Sequence, residues 1–249
     1  AAGVLRKADE VSQALGNGSL AATGSPLKVL AAEAALKHFR PLVKTVIDQT
    51  NARVFGGNTH FPGKILSLFE EHSQVIRKGK AHKPAEFGRL VRIDEVENGV
   101  VSNYEVLEGN KSDQTSWEPA LKQHKTLFGK PPKMATADRG FSSAKNEKFA
   151  RDFGVEEVVL PARGRLSELR RKLQKQRWFR KGMQWRGGIE ARIATLKHRF
   201  DMERAVYKGE SGFKRSVGLS VVANNLVAIA REQTKRKAKR DADEKRKAA

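Results

Sequence analysis

The chain has 249 residues, 39% of them hydrophobic, carries a formal net charge of +21 and contains no cysteine. That is enough apolar material for one good core with a small appendage, and the lack of thiols excludes disulfides, cysteine nucleophiles and cysteine zinc sites. With a pI near 10.4 the folded body repels itself unless a polyanion is its usual partner. Nucleic acid suits that role better than a membrane, because no long apolar run and no lipidation signal are present.

The first stretch, residues 1–50, reads as helical: Val4 to Leu15 and Val29 to Ile47 carry apolar residues at helical spacing. Gly16-Asn17-Gly18-Ser19 and Thr23-Gly24-Ser25-Pro26 read as loop between them, and Pro41 interrupts or starts the last helical stretch. The sequence opens on Ala1 without a charged-then-apolar leader, so a piece of a longer chain is expected and a secretory signal is not. Residues 51–64, rich in Gly and Asn and holding Pro62, form an irregular connection.

From Leu90 the period changes. Leu90 to Val96 and Val100 to Leu107 are β-type runs on either side of Asn98-Gly99, a pair that tolerates positive φ at both central positions of a hairpin turn. A polar turn follows at Gly109 to Asp113, where Asp113 reads as a turn and helix-capping residue, and then a helix from Thr115 to Phe128. Pro131-Pro132 leads to a short strand, Met134 to Ala137, that stops at Asp138. Ser142 or Ser143 caps a helix running to Phe153, closed by Gly154, and Val155 to Leu160 is a buried-type strand stopped by Pro161. This order predicts an α/β layered sheet with one hairpin edge.

Residues 163–181 hold nine Lys and Arg against the single Glu168, with Trp178 and Phe179 among them. That composition favours nucleic-acid contact over a solvated helix face, although the two aromatics serve equally well as core anchors. Val217 to Ile229 is the last apolar helix; its Asn224-Asn225 pair reads as a polar stripe or a helix-packing hydrogen bond. Three regions are expected: a helical region with an irregular linker over 1–64, a core over 65–230, and a charged, frayed or disordered tail over 231–249. His60, His72 and His82 suit no zinc spacing, and Gly79 and Gly88 form no phosphate-binding loop.

Two acids carry the chemistry. Asp138 stands at the C-terminal end of a strand, where α/β sheets commonly place ligands. Glu190 lies in a helical run in which Ile189, Ile193, Leu196 and Phe200 form one apolar stripe and Arg186, Glu190 and Lys197 a neighbouring one. An Arg-x3-Glu pair alone is usually a surface salt bridge worth under ~1 kcal/mol. Beside Asp138 it reads instead as half of a carboxylate pair for hard divalent cations, of the kind that serves phosphodiester chemistry.

These residues resemble a family. Thr136-Ala137-Asp138-Arg139-Gly140-Phe141 and Arg186-x3-Glu190-x6-Lys197 resemble DDE transposases of bacterial insertion sequences, the latter matching the Arg-Glu-Lys signature of the insertion-sequence 4 and 5 superfamily. Where that signature usually has Tyr, three residues before the Arg, this chain has Met183. Trp178-Phe179-Arg180, Gly188-Ile189-Glu190-Ala191-Arg192, and Lys78-Gly79-Lys80 with Glu86-Phe87-Gly88 resemble one subgroup, and the likeness runs from about Arg53 to Ala230.

The resemblance implies a ribonuclease-H-like mixed sheet flanked by helices, and a metal-dependent transposase core that hydrolyses a phosphodiester at transposon ends and joins the freed 3′ hydroxyl to target DNA. It implies Asp138 and Glu190 as catalytic residues and ligands of Mg2+ or Mn2+. It makes Arg186 and Lys197, with Arg139, Arg177, Arg180 and Trp178, contacts to double-stranded DNA. It further implies a bacterial, cytoplasmic, nucleoid-associated protein acting as a homodimer. The family's first Asp lies on its first strand. Before Arg53 no strand ending in Asp is legible: Asp9 and Asp48 sit in helical patterns, and Asp94 lies in the first hairpin strand. The expectation is therefore a chain lacking that first strand and not catalytic by itself, with a non-catalytic DNA-binding remnant as the alternative. An RNA-binding basic protein would fit the charge but gives no reason for Asp138 and Glu190.

Overall fold

A computed structural model describes residues 2–17, 25–77, 85–109, 111–162 and 164–248. Most of the loop expected between the first two helices, Lys78-Gly79-Lys80, His82, Asn110 and Arg163 lie outside the described residues. The chain divides into two compact units, Ala1–Gln74 and Val75–Ala249.

The first unit is helical. Helix α1 spans Ala2–Gly16 and α2 spans Pro26–Val54. Pro26 opens α2, where its missing N–H costs nothing. Pro41 was expected to interrupt or start a helix, yet α2 runs through it. It sits on an exposed face, and Thr45 Oγ1 donates 3.0 Å to its carbonyl. The helices are tied by an ion pair between Arg40 and Asp9. The irregular stretch after α2 folds back on it. The Gln49 side-chain amide donates to the Ile65 carbonyl at 2.8 Å and accepts the Ile65 N–H at 2.9 Å. Phe39 meets Phe69 edge to face at 5.6 Å. These contacts draw residues 65–74 into the same unit as residues 1–64.

The second unit is mixed α/β. Strands β1 (Gln74–Arg77) and β2 (Ala85–Gly88) pair; β3 (Val91–Glu95) and β4 (Val101–Val106) form an antiparallel hairpin. Then come α3 (Asp113–Phe128), β5 (Met134–Thr136), α4 (Ala144–Asp152), β6 (Glu157–Val159), α5 (Glu168–Lys175), α6 (Arg177–Arg199) and α7 (Gly209–Ala248). The hairpin turn is the one the sequence predicts: Asn98 has φ 62° and Gly99 φ 75°. The ladder runs Val91 to Val106 through Asp94 to Asn103, with a bulge before Glu95. Strands β5 and β6 are parallel, joined through α4. The single layered sheet expected from the element order is not formed among the described residues; the strands make three two-stranded sheets. With only three residues each, β5 and β6 offer few ladder hydrogen bonds for a further strand.

Two cores hold this unit. One gathers Trp117, Leu121, Ala135, Ala150, Val155, Val158 and Leu160, so α3 and α4 cover the parallel pair. The Trp117 indole N–H is satisfied by the Asn146 carbonyl at 3.1 Å. The other gathers Val101, Leu196 and Val221 with Tyr104 and Phe200, where α6 and α7 meet the hairpin. The apolar stripe read along α6 is only partly buried: Leu196 is fully enclosed, whereas Ile193 is 37% exposed. The helix presents its inward face to two cores in succession, and Ile193 falls to one side of both. Residues 231–249, expected as a frayed or disordered tail, continue α7 as helix to Ala248. Their charges include an i,i+4 pair, Arg236 to Glu232 at 3.0 Å.

Candidate active site

Strand β5 ends at Thr136, whose hydroxyl donates to the Val159 carbonyl of β6 at 3.0 Å. Two residues later the chain turns. Asp138 Oδ1 accepts the Arg139 N–H at 2.6 Å and caps a short 3-10 turn over Arg139–Phe141. Phe141 anchors that turn, its ring edge-on to Trp117 at 6.4 Å. The carboxylate of Asp138 is thus fixed at the C-terminal edge of the parallel pair and remains 71% exposed.

Helix α6 supplies the other acid. Its first turn buries Phe179, 1% exposed, and about one turn later it reaches Gly182. A Cβ at Gly182 would fall 2.6 Å from Val159 Cγ2 and 3.1 Å from Met134 Sδ. Glycine there lets α6 lie directly on β5 and β6, and the next turn brings Arg186 beside the end of β5. Arg186 Nη1 lies 3.5 Å from Asp138 Oδ1 and 3.7 Å from Glu190 Oε1. Acids from a strand end and from a helix therefore share one guanidinium nitrogen, the contact between Asp138 and Arg186 spanning 48 residues of sequence. Arg186 is 21% exposed, and its Nε is buried without a hydrogen-bond partner. Glu190 is 75% exposed.

The remaining expected residues distribute around this point. Arg139 follows Asp138 directly and is exposed. Lys197 stands three turns beyond Arg186 on the same side of α6, about 16 Å along the axis. Arg177 and Arg180 are exposed on the first turn of α6, about 120–180° round the helix from Arg186. Trp178 is half-buried and hydrogen-bonds Gln176. Phe179 takes the core-anchor role instead, with the Arg170 guanidinium 5.9 Å from its ring centre. Arg170, from the same basic stretch, is turned inward. It pairs with Glu147 Oε1 at 2.6 Å, donates to Glu147 Oε2 at 2.8 Å and also bonds the Leu160 carbonyl. Asp113 is the first residue of α3 rather than its cap, and its carboxylate lies against Gly140.

Asp94 is spent locally: its carboxylate accepts from Arg92 at 3.0 Å and from Asn103 at 3.0 Å. Among the described residues, no three of His, Asp and Glu cluster in a way that could hold a metal ion. The packing hydrogen bonds read for Asn224 and Asn225 are made, to partners that the sequence did not name. Asn225 bonds both backbone groups of Val101 at 2.8 Å, and the buried Asn224 donates to the Gly99 carbonyl at 3.1 Å. Asn224 also accepts from Arg192 at 3.0 Å, and Arg192 lies 3.6 Å from the buried Glu95. No described helix is long and apolar enough to cross a membrane.

No curated protein and no solved structure matches the chain. The family model of the transposase DDE domain matches residues 40–226, a stretch that holds Asp138, Arg186 and Glu190 together, and the chain belongs to that family.

Proposed function

We infer that the chain serves DNA transposition as the catalytic core of a DDE transposase of the insertion-sequence 4 and 5 type, with a ribonuclease-H-like arrangement. It cuts a phosphodiester at transposon ends and joins the freed 3′ hydroxyl to target DNA. The observation that carries this reading is the convergence of Asp138 and Glu190 on Arg186. The structural ion pair of Arg170 with Glu147 is turned inward and is 16% exposed on both sides. These two carboxylates are open to solvent, where a polyanion and its counterions can reach them.

The donor set fits Mg2+ or Mn2+. Mg2+ is characteristically held by one or two carboxylates and completes its shell with water and substrate phosphate. Asp138 and Glu190 would hold it, and the ion would polarise the scissile phosphate and lower the pKa of an attacking water or hydroxyl. Arg186 keeps the two acids on one spot between reactions. Arg139 beside Asp138 and Lys197 along α6 bind the flanking phosphates, and Arg177, Arg180 and Trp178 extend the contact to more of the duplex. The protein acts on double-stranded DNA in the bacterial cytoplasm, at the nucleoid and as a homodimer.

A second reading, DNA binding without cutting, is favoured by one observation. A guanidinium holds the place between the two acids, and no third carboxylate joins them among the described residues. Incubating the chain with labelled DNA carrying the element's ends, with and without Mg2+ or Mn2+, separates the two. Metal-dependent nicking that disappears in Glu190→Ala, with end binding retained, supports the catalytic reading. Salt-sensitive binding with no nicking at any metal concentration replaces it by the second.

A further inference from the structure

Helix α6 has a second charged face. At about 100° per residue, Arg177, Lys181, Gly188, Arg192, Thr195 and Arg199 fall within one sector, turned away from Arg186 and Glu190. Arg177, Lys181, Gly188 and Arg199 are exposed. Gly188 has open space where a Cβ would stand, whereas Arg192 and Thr195 are half-buried, with Arg192 turned onto the hairpin at Gly99 and onto Asn224 of α7.

At the C-terminal end of the face lies a cavity of about 240 Å³ between α6, α7 and the hairpin turn, lined by Arg192, Arg199, Arg231, Lys235, Glu232 and Asn224 among others. Its charge is strongly positive. Glu232 is the one acid in the lining, and its carboxylate is taken by Arg236 at 3.0 Å. Arg192 donates to Asn224 at 3.0 Å, and its Nε lies 3.6 Å from Glu95. Arg231 and Lys235, one turn apart on α7, are exposed. They line the cavity together with Arg199, and the acid beside them, Glu232, is held by Arg236.

We propose that this cavity seats a phosphate of a DNA duplex backbone, at a site separate from Asp138 and Glu190. Arg177 and Arg199 are 22 positions apart on one helix, about 33 Å along its axis. One turn of duplex returns the same backbone to the same side after about 34 Å. A duplex running beside α6 would thus meet Arg177 and Lys181 with one turn of its backbone and Arg199, Arg231 and Lys235 with the next. The occupant rests on the DNA reading above, whereas the anion site rests on the cavity's own charge.

The test is equilibrium binding of the whole chain to a duplex of about 16 base pairs, without divalent ions, as a function of salt. Without divalent ions the result does not depend on whether Asp138 and Glu190 cut. Each phosphate contact contributes about 0.9 to the slope of log affinity against log salt. The triple variant Arg199→Gln, Arg231→Gln, Lys235→Gln is expected to lose about 2–3 from that slope. Lys245→Gln with Arg246→Gln, exposed on α7 beyond the cavity, is expected to leave it unchanged. An unchanged slope in the triple variant overturns the proposal, and so does an equal loss in the control, which would mean diffuse charge. Inorganic phosphate supplies the other arm: stabilisation of the wild type by millimolar phosphate, with no effect of the triple variant on the duplex slope, would make this a pocket for small anions and also overturn it.

Discussion

Asn225 bonds to Val101 as the backbone of a neighbouring strand would. Its side-chain oxygen accepts the Val101 N–H and its amide donates to the Val101 carbonyl, both at 2.8 Å, across 124 residues of sequence. Val101 is 3% exposed and opens β4, so both of its backbone groups would otherwise be dry and unpaired. One side chain on α7 thereby fixes the hairpin to the helix layer.

Replacing Asn225 by Ala leaves that donor and acceptor unsatisfied and is expected to cost about 1–3 kcal/mol in urea unfolding. Asn225→Asp keeps an acceptor for the N–H and loses the donor to the carbonyl, so it should fall between the two. Unfolding midpoints equal to wild type in both variants would show that the hairpin is held by its apolar contacts alone.

Arg170 and its neighbours in the basic stretch make opposite predictions. Arg170 is 16% exposed, as is Glu147, and it also bonds the Leu160 carbonyl. Arg170→Ala strands the Glu147 carboxylate and is expected to destabilise the fold by about 3–5 kcal/mol. Arg177→Ala and Arg180→Ala, both exposed, should change stability by no more than about 0.5 kcal/mol while weakening DNA binding. Thermal unfolding and a salt-dependent binding titration on the same three variants read both effects.

What the sequence could and could not disclose follows from the range of each interaction. The Asn98-Gly99 turn was legible because both positions need positive φ, which is a property of the residues themselves. Helix α3 was legible from its spacing and α4 from its spacing and cap, with Ser143 Oγ accepting the Asn146 N–H at 3.1 Å. The pairing of Asp138 with Arg186 was not foreseen: the family pattern made Asp138 a metal ligand and Arg186 a contact to DNA. The inward turn of Arg170 was hidden because a run of like charges carries no mark of which member finds a buried Glu. The strand-like grip of Asn225 was hidden for the same reason: an amide in an apolar helix does not name its partner. Ile193 shows the converse, since helical periodicity marks a face and cannot tell where along it the neighbouring elements stop.

The two acids at the end of β5 and on α6 should be dispensable for folding. Their pairs with Arg186 are long and their side chains are 71% and 75% exposed, so each pair is worth about 0–1 kcal/mol. Asp138→Asn keeps an oxygen for the Arg139 N–H, and Glu190→Gln keeps the side chain's length. Each is expected to unfold within about 1 kcal/mol of wild type, so that a loss of DNA cutting would report chemistry. A larger drop in either would place that acid among the structural pairs.

Glu95 gives the fold a pH dependence of predictable sign. Its side chain is 14% exposed, its Oε2 is buried without a hydrogen-bond partner, and its Oε1 lies 3.6 Å from Arg192 Nε. Burial raises its pKa above the ordinary value of 4.5, and the nearby Arg192 only partly offsets that. The folded chain therefore holds this proton more tightly than the unfolded chain does. The stabilisation is present in full below 4.5 and is lost as pH rises through the raised folded value. Glu95→Gln has nothing to titrate at this position, so the difference in Tm between wild type and variant isolates the one group from every other acid. That difference should move against the wild type as pH is raised from about 4 to about 8 and then level off. A difference that stays flat across the range would mean that Arg192 compensates the burial in full.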